Sequence, residues 1–183
     1  MIILLYGPPG GGKNTQGEVL AQKLGLKFVS TGTELRAEAK SRTPAAKIIR
    51  EYLRRGTMLP ASAINPFMRQ RLLSPEFQSR GYVTDGFPRQ AEVCRDFLSY
   101  ASPTVAIFLL VPNEVLMERL LKRGREDDKT HIIRGRLETY QKDIAAVRPI
   151  LEAVGVPTFT IDGTGDKQTV EKNIWDAIEP FAH

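Results

Sequence analysis

The sequence predicts an α/β fold: a five-stranded parallel sheet covered by helices on both faces. Short apolar runs ended by Gly, Pro or Asp-Gly recur along the chain, as buried strands do. Segments with apolar residues at i, i+3 and i+4 separate them, the spacing of helices with one buried face. Apolar strands that alternate with helices belong to parallel sheets sandwiched between helical layers.

Met1 to Tyr6 reads as the first strand and breaks at Gly7. A weaker run, Lys27 to Ser30, is ended by Thr31-Gly32. Val83 follows Gly81-Tyr82 and leads into Asp85-Gly86. Val105 to Val111 follows Pro103 and stops at Pro112, and Pro157 to Ile161 ends at Asp162-Gly163. Helical spacing covers Asn14 to Leu24, Pro44 to Arg55, Glu114 to Lys122 and Thr169 to Ile178. Thr130 to Ala153 reads as one long, mostly polar helix with part of its length exposed, and Pro149 marks a kink near its end. Cys94 reads as a small buried helix residue and Trp175 as core. No internal repeat, low-complexity tract or long linker divides residues 1–183, so a single domain is expected.

Composition narrows the class. The 183 residues are 42% apolar and 26% charged, close to ordinary globular values. Cys94 is the only cysteine, which excludes a disulfide framework and a four-cysteine zinc site. A reducing, cytoplasmic setting is the simplest expectation. The opening apolar run is too short for a signal peptide or a membrane span. The net charge of +5 suggests anionic partners: nucleic acid, a membrane surface or small phosphorylated ligands.

Gly7-Pro8-Pro9-Gly10-Gly11-Gly12-Lys13 matches G-x-x-x-x-G-K between a predicted strand and a predicted helix. Glycines let backbone N–H groups converge on phosphate oxygens, and the helix adds its positive N-terminal end. Lys13 would set an ammonium against the outer phosphates, and Thr15 offers a hydroxyl to Mg²⁺ or phosphate. The common motif has Ser or Thr directly after the lysine; here Asn14 stands there. The loop predicts a P-loop NTPase fold and a nucleoside triphosphate, without naming a reaction.

Five motifs in order resemble the nucleoside monophosphate kinase family, most closely adenylate kinases of the short-lid type. The family's Gly-x-Pro-Gly-x-Gly-Lys-Gly-Thr-Gln loop runs here from Gly7 to Gln16, with Asn14 for Gly. Its Ser-Thr-Gly-Asp-x-x-Arg appears as Ser30 to Arg36, with Thr33 for Asp and Glu34 beside it. Gly-x-Leu-Val-Pro appears as Gly56-Thr57-Met58-Leu59-Pro60. Asp85-Gly86-Phe87-Pro88-Arg89 is the most specific signature, followed directly by Gln90. Lys122 to Asp128, then Arg136-Leu137-Glu138, resembles an unusually short lid.

The resemblance implies a Mg²⁺-dependent transfer of the terminal phosphoryl group of ATP to AMP, giving two ADP. It implies ATP binding by Gly10, Gly11, Gly12, Lys13, Asn14, Thr15, Arg123 and Gly163. It implies AMP binding by Thr31, Arg36, Thr57, Met58, Leu59, Gly86, Arg89 and Gln90, with Arg125 and Arg136 clamping the transferring group. Lys13, Arg89, Arg123, Arg125 and Arg136 are the catalytic set. Asp85 and Thr15 are the implied Mg²⁺ residues, in contact through water, and no zinc is implied. Residues 30–59 would form the monophosphate-binding subdomain and 123–131 the lid. A monomer acting on ATP and AMP is implied, with neither nucleic acid nor membrane as partner.

The residues agree on their own terms. Each motif begins at the C-terminal end of a predicted strand, the edge where open parallel sheets bind ligands. Joining two polyanions needs positioning and positive charge, which the arginines supply. The acceptor is an ionised phosphate oxygen, so no general base is needed, and His131 and His183 lie outside the strand-end motifs. Other readings stand beside this one. Asp85 also suits a turn cap, Thr31 an N-cap, Asp127 and Asp128 helix-dipole charges, and Gly163 a plain turn. The same fold serves UMP or CMP kinases. Asn14, Thr33 and the short lid also suit a catalytically impaired nucleotide-binding protein, and the basic charge a nucleic-acid-binding one.

Overall fold

A computed structural model describes residues 1–55, 57–124 and 129–182. The chain runs β1 (Ile2–Tyr6), α1 (Lys13–Leu24), β2 (Lys27–Ser30), α2 (Thr31–Glu38), α3 (Pro44–Arg55), α4 (Ala61–Leu72) and α5 (Pro75–Gln78). It continues through β3 (Tyr82–Asp85), α6 (Ala91–Leu98), β4 (Val105–Leu110), α7 (Asn113–Arg123), α8 (Thr130–Ala153), β5 (Thr158–Asp162) and α9 (Lys167–Ile178). A short 3₁₀ turn, Glu179–Phe181, follows.

All strand pairs are parallel, in the order β2-β3-β1-β4-β5. Side chains alternate across the sheet with the two-residue strand period. Leu4, Tyr6, Val29, Tyr82, Ala106 and Phe108 face one layer, packed on α4, α6 and α8. Ile3, Leu5, Val83, Val105, Ile107 and Leu109 face the other, packed on α1 and α9. This double burial is why those runs are apolar without alternation. β5 lies at the sheet edge and is only half-buried.

A third cluster joins Val111, Leu116, Leu120, Ile133 and Leu137 where α7 meets α8. It anchors both helices beside the loop that follows β1. The chain leaves β1 and β4 toward opposite sides, so the C-terminal ends of these neighbouring strands open a crevice, the usual ligand site of such sheets.

Several elements differ from the sequence expectation. α4 carries Pro66 in its interior, which hides its helical pattern. α2 and α6 span two turns each and begin almost directly after strand ends. α8 continues through Pro149 as a single helix to Ala153. Cys94 is fully buried on α6, and burial pushes its thiol up to about 11. Trp175 is only half-buried, with Lys23 Nζ 3.8 Å above its ring. Among the described residues no helix is long and apolar enough to cross a membrane.

Candidate active site

The loop after β1 turns back on itself through glycine. Gly10 and Gly12 adopt φ of +80° and +86°, a region that disfavours other residues. A Cβ on Gly10 would also lie 2.9 Å from Leu120 Cγ, so α7 packs against the bare backbone. Gly11 N–H donates to Pro8 O at 2.9 Å and closes the turn. α1 then starts at Lys13 and directs its unpaired N-terminal N–H groups toward the same space. Asn14 is helical, with its side chain exposed beside Thr15. Among the described residues only glycines have positive φ, so this position makes no conformational demand for glycine.

Because β1 pairs with β3, Asp85 arrives beside this loop. Lys13 Nζ lies 3.7 Å from Asp85 Oδ1 and donates to Pro8 O at 3.1 Å. Burial pulls the lysine below its ordinary pKa; Asp85 opposes that, while Arg89 and Arg136 add to the lowering. Ser30 Oγ donates to Asp85 Oδ2 at 3.4 Å. Asp85 Oδ1 is buried, and no described residue donates a hydrogen bond to it. An orphaned carboxylate oxygen beside the phosphate loop suits a hydrated Mg²⁺. Among the described residues no group of three or more His, Cys, Asp or Glu side chains is placed to hold a metal ion.

β2 delivers α2. Ser30, not Thr31, stands at its N-cap, and Thr31 Oγ1 donates to Asp85 O at 3.1 Å. Arg36 Nη2 donates to Thr33 Oγ1 at 3.3 Å. Glu34 does not replace the family's Asp, because it pairs with Arg71 of α4 at 2.9 Å. After β3, Gly86 takes φ of +77°, and Arg89 follows. Burial lowers the Arg89 pKa, Asp143 and Tyr140 oppose that, and Arg136 adds to it. Gln90 caps α6 and donates from Nε2 to Leu59 O at 3.4 Å, which ties α6 to the segment after α3.

These elements enclose one cleft of about 640 Å³. Gly10, Gly12, Lys13, Asn14, Thr15 and Arg123 line it from the phosphate-loop side. Thr31, Arg36, Thr57, Met58, Leu59, Gly86, Arg89 and Gln90 line it from the side of α2, α3 and α6, and Asp85 and Arg136 lie between. Two expected residues stand off its wall. Gly11 is buried within the loop. Gly163 sits behind the loop, where a Cβ would meet Val111 Cγ2 at 2.7 Å and Gly11 O at 3.7 Å. Gly56 lies outside the described residues, as do residues 125–128 of the expected lid, Arg125, Asp127 and Asp128 among them. His131 is exposed on α8, away from the cleft wall.

The cleft residues that the sequence reading missed include Arg119, Tyr140 and Tyr6. Arg119 donates to Gly163 O at 3.0 Å and Thr164 O at 3.2 Å, tying α7 to the end of β5. It precedes Arg123 by one helical turn, a spacing that would have flagged it. Tyr140 follows Arg136 by one turn on α8 and lies under Arg89, whose guanidinium carbon is 5.5 Å from the ring centroid. Tyr6, the last residue of β1, also lines the cleft and stacks on Phe108 at 4.8 Å.

The family model described as "Adenylate kinase" matches residues 5–154 of this chain. A curated relative named "Adenylate kinase" from Nocardia farcinica is 32% identical over 183 residues, covering 97% of this chain and 99% of its own. An "Adenylate kinase" from Porphyromonas gingivalis is 35% identical over 188 residues, covering 98% and 96%. "Adenylate kinase isoenzyme 1" from Bos taurus is 35% identical over 160 residues, covering 85% and 82%.

Proposed function

The chain belongs to the adenylate kinase family, and from that premise we propose how its cleft moves the terminal phosphoryl group of ATP to AMP. One observation carries the reading. Lys13, Arg89 and Arg136 come from three separate segments yet line the same cleft, and both arginines disfavour charge on Lys13. Such a cluster in a half-closed cleft is stabilised by a polyanion between the cations.

The phosphate loop and Lys13 bind the donor's outer phosphates. Arg36 and Arg89 bind the acceptor phosphate, and Arg123 and Arg136 meet the transferring group. An ionised acceptor oxygen attacks the γ-phosphorus. The bond from that phosphorus to the bridging oxygen breaks, and ADP leaves with the electron pair. No proton moves, so no general base is required. Asp85, through water, and Thr15 would hold the Mg²⁺ that accompanies ATP, and the ion would supply neutralisation of charge on the donor phosphates. Thr57, Met58, Leu59 and Gln90 wall the acceptor base, and Gln90 supplies the polar edge. Residues 30–59 act as a cap and 123–131, including Arg125, as a lid; both exclude water, which would otherwise accept the phosphoryl group. The reading is of a cytoplasmic monomer.

A coupled assay with ATP, Mg²⁺ and AMP, UMP, CMP or GMP tests this. The expected result is turnover with AMP at least about ten-fold above the others, roughly 1.4 kcal/mol of discrimination. Preferential turnover of UMP or CMP would move the acceptor assignment; no turnover with any acceptor would end the proposal.

A further inference from the structure

Arg89 has one partner that the reaction does not use. Its Nε lies 3.3 Å from Asp143 Oδ2, on the inward face of α8. Arg136, Tyr140 and Asp143 follow one another at i, i+4 and i+7, so one stripe of α8 carries all three. Arg136 and Tyr140 line the cleft, whereas Asp143 stands behind Arg89. The carboxylate therefore reaches substrate only through the guanidinium.

We infer that Asp143 is a positioning residue, holding Arg89 side-on so that its terminal nitrogens are presented to the acceptor phosphate. Three observations converge on this. Asp143 Oδ2 is buried, and among the described residues it is paired ionically with Arg89. The Arg89 guanidinium lies over the Tyr140 ring, which together with Asp143 fixes both its plane and its edge. Arg89 lines the cleft, and its terminal nitrogens are the pair a bidentate phosphate contact requires. Burial also holds the Asp143 carboxyl above its ordinary value, against the pull of Arg89. The fold thus keeps a charge where desolvation disfavours it.

The sign of the effect separates positioning from simple attraction. A carboxylate beside the acceptor site repels a phosphate, so removing its charge does not weaken acceptor binding electrostatically. What is lost is the orientation of Arg89, and misplacement of a clamp residue lowers the rate of the chemical step.

This inference rests on the adenylate kinase reading, and one set of measurements separates the two. Wild type, Asp143→Asn and Asp143→Glu are compared for kcat, for KM of both nucleotides, for AMP binding by calorimetry and for thermal unfolding. In Asp143→Asn, kcat falls about ten-fold, AMP affinity stays within about two-fold, and the ATP KM is unchanged. Asp143→Glu recovers part of the rate because it restores the charge. Wild-type kcat in Asp143→Asn overturns the inference, as does a rise in the AMP KM alone or a loss of folded protein in both variants. Wild type that fails to convert AMP overturns the underlying reading instead.

Discussion

Lys13 of α1 and Asp85 of β3 meet at the floor of the cleft, Nζ 3.7 Å from Oδ1. They are 72 positions apart, and the parallel pairing of β1 with β3 brings them together. The ammonium also donates to Pro8 O within its own loop. In the proposed reaction a donor phosphate takes the place of that carbonyl against Lys13.

Lys13→Met keeps the length of the stem and removes the charge. kcat is expected to fall by about 10²–10³, the usual cost of losing one charge-stabilising group. Burial disfavours the ammonium, so thermal unfolding should not move downward. Steady-state kinetics and a melting curve check both halves.

Asn14 departs from the family loop without departing from its geometry. It is helical, and its side chain is exposed. Asn14→Gly should therefore give no large gain in rate, with kcat within about three-fold of wild type. The added backbone freedom should cost a few tenths of a kcal/mol in a denaturant titration, below the roughly 1 kcal/mol of a mid-helix glycine. A gain of ten-fold or more would identify Asn14 as an impairment.

Gly17 illustrates a glycine that packing requires. It lies inside α1, where alanine ordinarily stabilises a helix by about 1 kcal/mol. Here a Cβ would lie 2.3 Å from Phe28 Cε2, so α1 or the ring must shift. Overpacking of this kind costs about 1–3 kcal/mol and outweighs the propensity gain. Gly17→Ala should lower stability in urea unfolding.

The Asp143 carboxyl makes a pH-dependent prediction of its own. Its folded pKa is raised by burial, so the native state binds a proton more readily than the unfolded chain. The resulting stabilisation is absent above the folded value and complete below the ordinary carboxylate value of about 3.9. Asp143→Asn resembles the protonated form and lacks this titration. Relative to that variant, wild type should gain stability between pH 7 and pH 4, measured by denaturant unfolding at both values.

Much of this was legible in the chain because strand burial and phosphate binding leave local signatures. Val105–Leu110 is apolar throughout since both of its faces are covered, and Gly10 and Gly12 announce a loop only glycine can form. α4 was hidden because Pro66 breaks the helical pattern while the surrounding packing of Ile64, Met68 and Leu72 sustains the helix. Arg119 was legible only through its one-turn spacing to Arg123; its contacts with the carbonyls of Gly163 and Thr164 required the fold. Asp143 was hidden, since its partner Arg89 lies on a different strand end. Gln90 was visible as a displaced residue, but its contact with Leu59 required the fold.

The central claim concerns transfer between two nucleotides rather than hydrolysis of one, and the reverse reaction isolates it. With Mg²⁺ and ADP as the only nucleotide, phosphorus-31 NMR should show ATP and AMP appearing in equal amounts, with no inorganic phosphate. AMP with inorganic phosphate and no ATP, or ADP left unchanged, would contradict the account.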